Sequence, residues 1–349
     1  MSKSVKKTIA ITAAVLIGLM LFASVYLILK NRSIAKDYYH ELAAERWDGT
    51  DVSCSEVSVY YEENAGIATP DVAYAVTSIN QRLKSDNYLT VGDNGLNWYY
   101  AYAGLADIIV EKGSRSIQAE AFGVGGEFFK IHEMPLLSGT YFDTDKSEEQ
   151  TVILDEYAAW ELFGAVDVAG MQVLIGNDFY TVAGVVGTID TKASMAAYGD
   201  RCKIYLPYEA LRKNVPELTA TCFQAVLPNP VESYARSVIS GAFGIRDLSA
   251  RELAEQKSPL NFENRIMVEN TGRFGFLRLR EKLKYGKYSS MRTDGIKLPF
   301  WENMARYEEE RQLKRYRLAI ALLVLPALSV FTCVILIIRA IPLRIRNHP

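Results

Sequence analysis

Two long apolar stretches constrain this chain more than any other feature. They run from Thr8 to Leu29 and from Leu318 to Ile338, and neither contains a charged side chain. At about 1.5 Å rise per residue, each is long enough to cross the roughly 30 Å hydrocarbon core of a bilayer as a helix. We therefore predict two transmembrane helices, with both termini on the same side and one large folded region between the helices.

The first stretch also resembles a signal peptide, because the basic residues Lys3, Lys6 and Lys7 precede an apolar segment. Its apolar length exceeds the roughly 7–15 residues of a signal-peptide core, and no convincing cleavage site follows before Lys30. An uncleaved anchor is the favoured interpretation. Similar numbers of Lys and Arg flank the two sides of the predicted membrane, so charge does not decide the orientation.

Charge and motif content argue against several function classes. The net charge is −2 with both signs interspersed, which does not indicate nucleic-acid binding. The chain has no GxxxxGK[ST] phosphate loop and no HExxH motif. We therefore expect no catalytic, metal or cofactor site, and we expect any ATP hydrolysis to belong to a partner. His132 beside Glu133 is interpreted as a surface pair, and the glutamates around Glu308 as solvated charge.

Cysteine placement leaves two alternatives open. Cys202 and Cys222 each lie in a strand-like run, and a helix-like connection containing a proline separates the two runs. Neighbouring strands would bring the two cysteines within disulfide range. A possible disulfide between Cys202 and Cys222 is weighed against two separate buried thiols, which is the favoured alternative.

The residue pattern between the apolar stretches is typical of mixed helices and strands, so the predicted fold class is α+β. Thr151 to Leu154 resembles a buried strand, and Glu156 to Phe163 a short helix ended by Gly164. Val173 to Ile175 and Phe179 to Val186 are typical of a hairpin. Further predicted elements are strands over Val57–Tyr61 and Ile204–Leu206 and a helix over Asp71–Leu83.

A charged helix is predicted just before the second apolar stretch. Neither Gly nor Pro occurs from Trp301 to Leu325, and Glu310 is spaced for i,i+4 pairing with Arg306 and Lys314. A helix from Trp301 to Ile338 would be about 57 Å long. We interpret Trp301, Arg306, Glu310 and Lys314 as marking a possible coupling stalk. The alternative is a solvated juxtamembrane helix whose charges only keep it soluble.

An aromatic run offers a possible ligand surface. Trp98, Tyr99, Tyr100 and Tyr102 present amphipathic rings that suit an apolar peptide or a lipid. The favoured alternative is an edge strand or core segment with ordinary aromatic packing.

A long series of spaced positions between Phe122 and Pro207 forms one recognisable pattern. The positions are Phe128-Phe129, Leu136, Gly139, Phe142, Val152–Glu156, Ala159, Leu162-Phe163-Gly164, Gly170, Ile175-Gly176 and Tyr180–Val186. Their order resembles the periplasmic core domain of MacB-type, FtsX-like ABC transporter permeases. The chain departs from the family's usual pattern at Thr140, where Arg is usual, and at Asp155, where Asn is common.

The resemblance implies a location and a function. It places a two-pass protein in the bacterial cytoplasmic membrane, with both termini in the cytoplasm and the large domain extracytoplasmic. It implies an ABC ATPase as partner, and a peptide, lipid or drug as substrate. Family permeases usually have four spans, and this chain shows two. The expected function is therefore a subunit or truncated relative of a permease, completed by a second permease subunit, that acts in export or envelope remodelling. The alternative is a membrane-anchored ligand-binding or sensor protein with no ATPase.

The predicted organisation follows from these observations. It comprises a cytoplasmic N-terminus (1–7), a transmembrane helix (8–29), an extracytoplasmic α+β region (30–300), a juxtamembrane stalk helix (301–317), a second transmembrane helix (318–338) and a cytoplasmic tail (339–349).

Overall fold

A computed structural model describes residues 3–38, 42–47, 52–89, 91–92, 95–96, 98–144, 149–188, 191–198, 201–245, 264–285 and 296–345. The chain divides into two compact units. One unit, here the folded domain, is Tyr38–Glu308. The other, here the helical pair, combines Met1–Asp37 with Glu309–Pro349.

Helices begin and end the described chain. The described helices are α1 (Lys3–Asp37), α2 (Ala43–Arg46), α3 (Thr69–Ser85), α4 (Phe128–Ile131), α5 (Glu156–Phe163), α6 (Lys192–Tyr198), α7 (Tyr208–Asn214), α8 (Tyr234–Phe243), α9 (Phe276–Tyr285) and α10 (Phe300–Ile345).

The folded domain is built on one large mixed sheet. Its strand order is β12-β1-β11-β4-β5-β10-β7-β9-β6, and β8 pairs with both β4 and β9. A short hairpin, β2 with β3, stands apart from it. The strands are β1 (Cys54–Tyr61), β2 (Val91–Gly92), β3 (Gly95–Leu96), β4 (Tyr99–Lys112), β5 (Arg115–Gly126), β6 (Leu136–Gly139), β7 (Thr151–Asp155), β8 (Gln172–Ile175), β9 (Asp178–Val186), β10 (Cys202–Pro207), β11 (Cys222–Pro228) and β12 (Arg265–Glu269).

Both faces of this sheet are covered. Because side chains alternate along a strand, Ile204 and Leu206 of β10 face one side while Tyr205 faces the other. The first face packs against α3, α5, α7 and α8. The opposite face packs against α2, α4 and the first turn of α10. The buried polar residues and the cavity described below lie on this opposite face.

Several predicted elements are confirmed, including the α+β class. The hairpin predicted around residues 176–178 is β8 with β9, and Ile175 pairs with Asp178. Helix α5 ends as predicted, because Gly164 adopts a left-handed conformation with φ 73°. Its start is capped by Asp155, whose Oδ1 accepts a hydrogen bond from the Ala158 amide at 2.8 Å.

The helical pair is held by polar contacts between α1 and α10. Ser24 Oγ donates to the Ala319 carbonyl at 3.0 Å, and Asn31 Nδ2 donates to the Gln312 carbonyl at 3.2 Å. Arg315 Nη1 donates back to Asn31 Oδ1 at 3.1 Å. Between the Ser24–Ala319 contact and the Asn31–Gln312 contact, the residue number rises by seven on α1 and falls by seven on α10. The two helices therefore run antiparallel.

Elsewhere the surfaces of these helices are apolar. Large side chains such as Leu19, Phe22, Leu328 and Phe331 are exposed. Two helical stretches, Lys7–Lys36 and Phe300–Thr332, are long and apolar enough to cross a membrane by length and composition. They are the candidate membrane spans.

Candidate functional site

A chain of buried polar side chains runs across the sheet face that packs against α10. Asn270 Nδ2 donates to Glu56 Oε1 at 2.8 Å and to Ser58 Oγ at 3.0 Å. Gln224 Nε2 donates to the same hydroxyl at 3.3 Å, and its Oε1 lies 2.7 Å from His132 Nε2. We call Glu56, Ser58, Asn270, Gln224 and His132 the polar layer.

Glu56 is the acidic end of the polar layer. Its Oε2 also accepts a hydrogen bond from the Ala43 amide at 3.1 Å. Burial raises the pKa of Glu56 to about 7, while the Asn270 amide opposes the shift by stabilising the carboxylate. The group is therefore poised to change charge near neutral pH.

A buried ion cluster joins α10 to the polar layer. Arg273 Nη1 lies 2.8 Å from Glu302 Oε2 and donates to Asn270 Oδ1 at 3.3 Å. Arg306 Nε reaches the other oxygen of Glu302 at 2.5 Å. Burial alone would raise the pKa of Glu302, but the two guanidinium groups lower it to about 2. Glu302 is therefore ionised, and it anchors the start of α10 electrostatically.

Next to the polar layer lies a small cavity under the first turns of α10. It measures about 30 Å³, room for about two water molecules. Its walls are mostly apolar and aromatic, and the lining includes Phe128, His132, Tyr205, Phe300, Trp301 and Met304. The rings of His132 and Trp301 lie 4.5 Å apart, so cavity and polar layer share a wall.

Asp155 and Lys203 bring opposite charges to this cavity. Their nearest atoms, Oδ2 and Nζ, are 3.8 Å apart, and both side chains are 3% exposed. Burial raises the pKa of Asp155 to about 6 and lowers the pKa of Lys203. The attraction between the two opposite charges opposes both pKa shifts. Lys203 Nζ also donates to the Arg201 carbonyl at 2.9 Å and lies 5.4 Å from the centre of the Phe300 ring.

The residues predicted for the stalk all lie on α10 but differ in their surroundings. Trp301 and Arg306 are buried in the folded domain. Glu310 pairs with Lys314 at 2.7 Å, as its spacing predicted. Arg306, however, bonds Glu302 in the preceding turn.

The interpretation of the glutamates around Glu308 as solvated charge was wrong for Glu308 and Glu309, whereas the Glu310 side chain is 31% exposed. Glu308 and Glu309 are 1% and 0% exposed. A run of charges does not reveal which members face basic or polar partners once the chain has folded.

Cys202 and Cys222 are both free thiols, which agrees with the favoured alternative of two separate buried thiols. Cys202 lies on β10 and Cys222 on β11, with β4 and β5 between them. Three strand spacings of about 4.8 Å separate them, roughly 14 Å, which is twice the reach of a disulfide.

Two rings of the aromatic run, Trp98 and Tyr99, are buried, and Tyr100 and Tyr102 are half-buried. Trp98 is 2% exposed, and its Nε1 donates to Asn80 Oδ1 at 2.9 Å. Tyr100 stacks on Phe223 with ring centres 5.8 Å apart. The sheet interior therefore uses these rings for packing.

His132 also departs from its interpretation as a surface residue. It is 4% exposed within the polar layer, while Glu133 points outward and pairs with Arg46. The polar layer had a sequence signal that was missed, because polar residues alternate with apolar ones in several strands. The examples are Glu56 and Ser58 in β1, Lys203 in β10 and Gln224 in β11.

Comparison with known proteins identifies what the folded domain and first span resemble. A family model described as the MacB-like periplasmic core domain matches residues 8–237, which is 230 of the 349 residues.

Among the residues that the structure describes, no group of three or more His, Cys, Asp or Glu is arranged to hold a metal ion.

Curated relatives match over shorter segments. The macrolide export ATP-binding/permease protein MacB of Agrobacterium fabrum is 28% identical over 149 residues, 40% of this chain and 22% of that protein. The protein of the same name from Escherichia coli K12 is 30% identical over 102 residues, 28% of this chain and 15% of that protein. The matched part thus spans less than a quarter of these relatives.

Two solved structures are similar to parts of this chain. The periplasmic region of MacB from Actinobacillus actinomycetemcomitans covers 70% of this chain and 97% of its own, with a TM-score of 0.43 and 15% identity. The extracellular domain of the noncanonic ABC-type transporter YknZ from Gram-positive bacteria covers 55% and 96%, with a TM-score of 0.37 and 13% identity.

Proposed function

Because the chain belongs to the family of the MacB-like periplasmic core domain, we propose that it is a permease-type subunit that couples a partner ABC ATPase to an extracytoplasmic domain. The partner would hydrolyse ATP, and a second permease subunit would complete the membrane part. The process served would be export or envelope remodelling, with a peptide, lipid or drug as the substrate class. The relatives named above for macrolide export support this class of function.

The placement in the membrane is part of the same proposal. The candidate spans flank the folded domain in sequence. The antiparallel run of α1 and α10 supports a two-pass protein with both termini on one side of the membrane. We assign that side to the cytoplasm, and the folded domain to the outside of the bacterial cytoplasmic membrane.

One observation carries the coupling role. Helix α10 is continuous from Phe300 to Ile345, and it supplies residues both to the folded domain and to a candidate span. Its first turns are held in the folded domain by Trp301, which is 3% exposed, and by Glu302 in the buried ion cluster. A helix fixed at its start in this way would carry displacement along its length.

The first test is affinity purification of the full chain from native membranes in mild detergent, with mass spectrometry of associated chains. We expect an ABC ATPase and a second permease chain to be recovered. Recovery of the intact chain alone would overturn the proposal and favour the anchored sensor, which needs no ATPase.

The coupling role is tested separately with α10 interrupted. Lys314→Pro removes a backbone donor inside the helix and costs about 3 kcal/mol of helix stability locally. Lys314→Ala is the matched control, because it loses the same exposed pair with Glu310. We expect the proline variant to retain the ATPase but lose transport or ATPase stimulation, while the alanine variant keeps both. Equal activity of the two variants would contradict coupling through α10.

A further inference from the structure

Two of the residues that line the cavity under α10 each carry a buried polar atom that lacks a hydrogen-bond partner. Among the residues that the structure describes, Asp155 Oδ2 and Trp301 Nε1 are both buried without a hydrogen bond, although Asp155 Oδ2 lies 3.8 Å from the Lys203 ammonium group. Both residues line the cavity, and their exposures are 2% and 3%. Such groups are costly to bury unless a ligand or a water satisfies them.

The chemistry of these two atoms determines which ligand group could form hydrogen bonds with both of them. A carboxylate oxygen accepts a hydrogen bond, and an indole N–H donates one. A hydroxyl group does both, since it carries one donor and two acceptor lone pairs. A carboxylate or ammonium ligand would satisfy only one of the two atoms.

Charge balance at the cavity also selects against ions. Asp155 and Lys203 already compensate each other at 3.8 Å. A charged ligand would enter a buried site without a counter-charge, which is strongly unfavourable. A neutral ligand avoids that cost.

The remaining walls suit an apolar body. Phe128, Tyr205 and Phe300 supply rings, and Met134 and Met304 supply flexible side chains that can repack around a guest. The present volume of about 30 Å³ accommodates the polar end of a ligand. Room for the rest requires a change of methionine rotamers, which unbranched thioether side chains allow.

We propose that this cavity is a binding site for a small neutral amphiphile whose hydroxyl group inserts between Asp155 and Trp301. The ligand's apolar part lies along the aromatic rings beneath α10. Binding there would favour the packed position of the first turn of α10. This site is independent of whether the chain works with an ATPase, so a failure here leaves the proposed function untouched.

The test uses the full chain in lipid nanodiscs and two fluorinated probes observed by ¹⁹F NMR. The probe 4-fluorophenol carries the hydroxyl, and 4-fluorotoluene replaces it with a methyl group of similar size. Empty nanodiscs measure partition of each probe into lipid. We expect saturable binding of 4-fluorophenol beyond the lipid background, and binding of 4-fluorotoluene weaker by about 3- to 10-fold.

Variants assign the binding to the cavity. Trp301→Phe keeps a ring but removes the N–H donor, and we expect it to weaken 4-fluorophenol binding about 3- to 10-fold. Trp160→Phe is the matched control, because Trp160 is 53% exposed on α5. Equal binding of the two probes, or equal affinity of wild type and Trp301→Phe, would overturn the proposal.

A second measurement on the wild-type chain guards against a variant that does not fold. A diazirine-bearing phenol is photolysed on the chain, and the modified peptides are mapped by mass spectrometry. We expect modification within residues 300–304 and near Asp155 or Lys203, suppressed by excess 4-fluorophenol. Labelling confined to other peptides would contradict the site.

Discussion

At the scale of single residues, Glu302 has the largest expected effect on stability. Glu302→Gln removes the carboxylate that pairs with the buried guanidinium groups of Arg273 and Arg306. Breaking a buried ion pair in this way costs about 3–5 kcal/mol in the free energy of unfolding. Thermal or denaturant unfolding of the full chain in detergent measures this cost.

Glu310→Gln is the matched control for that substitution. It removes an i,i+4 pair with Lys314, whose side chain is 68% exposed. Exposed pairs contribute about 0–1 kcal/mol, so this variant should unfold close to wild type. Similar destabilisation by the two substitutions would contradict an anchoring role for Glu302.

Glu56 makes stability depend on pH. Its pKa is raised from 4.5 to about 7 by burial, so the folded protein binds the proton more tightly than the unfolded chain does. The resulting stabilisation is fully present below pH 4.5 and is lost as pH rises through about 7, a change on the order of 3 kcal/mol. We expect Glu56→Gln to lack this decline when unfolding is measured from pH 4.5 to 8.

The control for the pH series is Glu63→Gln. Glu63 pairs with Lys297 at the surface, where its side chain is 64% exposed. This variant should follow the wild-type pH profile. An unchanged decline in Glu56→Gln would show that other groups cause it.

At the scale of elements, the pairing of β6 with β9 depends on Gly139. Its φ is +74°, and a Cβ atom built there would lie 2.1 Å from the Ala183 carbonyl oxygen. Gly113 has a similar φ of +61° in the β4–β5 turn, with nothing within 4 Å. Both Gly→Ala substitutions carry a backbone cost of about 1–2 kcal/mol, and only the first adds a clash.

We therefore expect Gly139→Ala to destabilise the chain by at least about 2 kcal/mol more than Gly113→Ala does. The comparison is made by denaturant unfolding of both variants. Equal losses would mean that backbone strain alone accounts for the glycine at position 139.

The helices and strands also show how much of the fold could be predicted from the sequence. Local signals specified the β8–β9 hairpin and the Gly164 end of α5, because turn and capping residues act within a few positions. The strand order could not be read in this way, since the separation of Cys202 from Cys222 depends on β4 and β5 inserting between their strands. The polar layer was missed for a related reason, because Glu56 and His132 become neighbours only through Gln224 and Asn270, which lie far away in sequence.

At the scale of the whole molecule, the testable property is topology. Ser4→Cys lies near the N-terminus and Ser114→Cys in the exposed β4–β5 turn. With a membrane-impermeant maleimide on intact spheroplasts, we expect Ser114→Cys to react and Ser4→Cys to react only after permeabilisation. The wild-type chain supplies the background from its native cysteines. The reverse pattern would invert the proposed orientation.

The two contacts between α1 and α10 restrict how these helices can move. Ser24 and Asn31 each bond a backbone carbonyl of α10, and the two bonds are seven residues apart on both helices. A piston-like slide of one helix past the other would break both bonds together. In the proposed membrane arrangement, we therefore expect the two helices to move together along their axes, because tilting the pair keeps both bonds and shear within it breaks them.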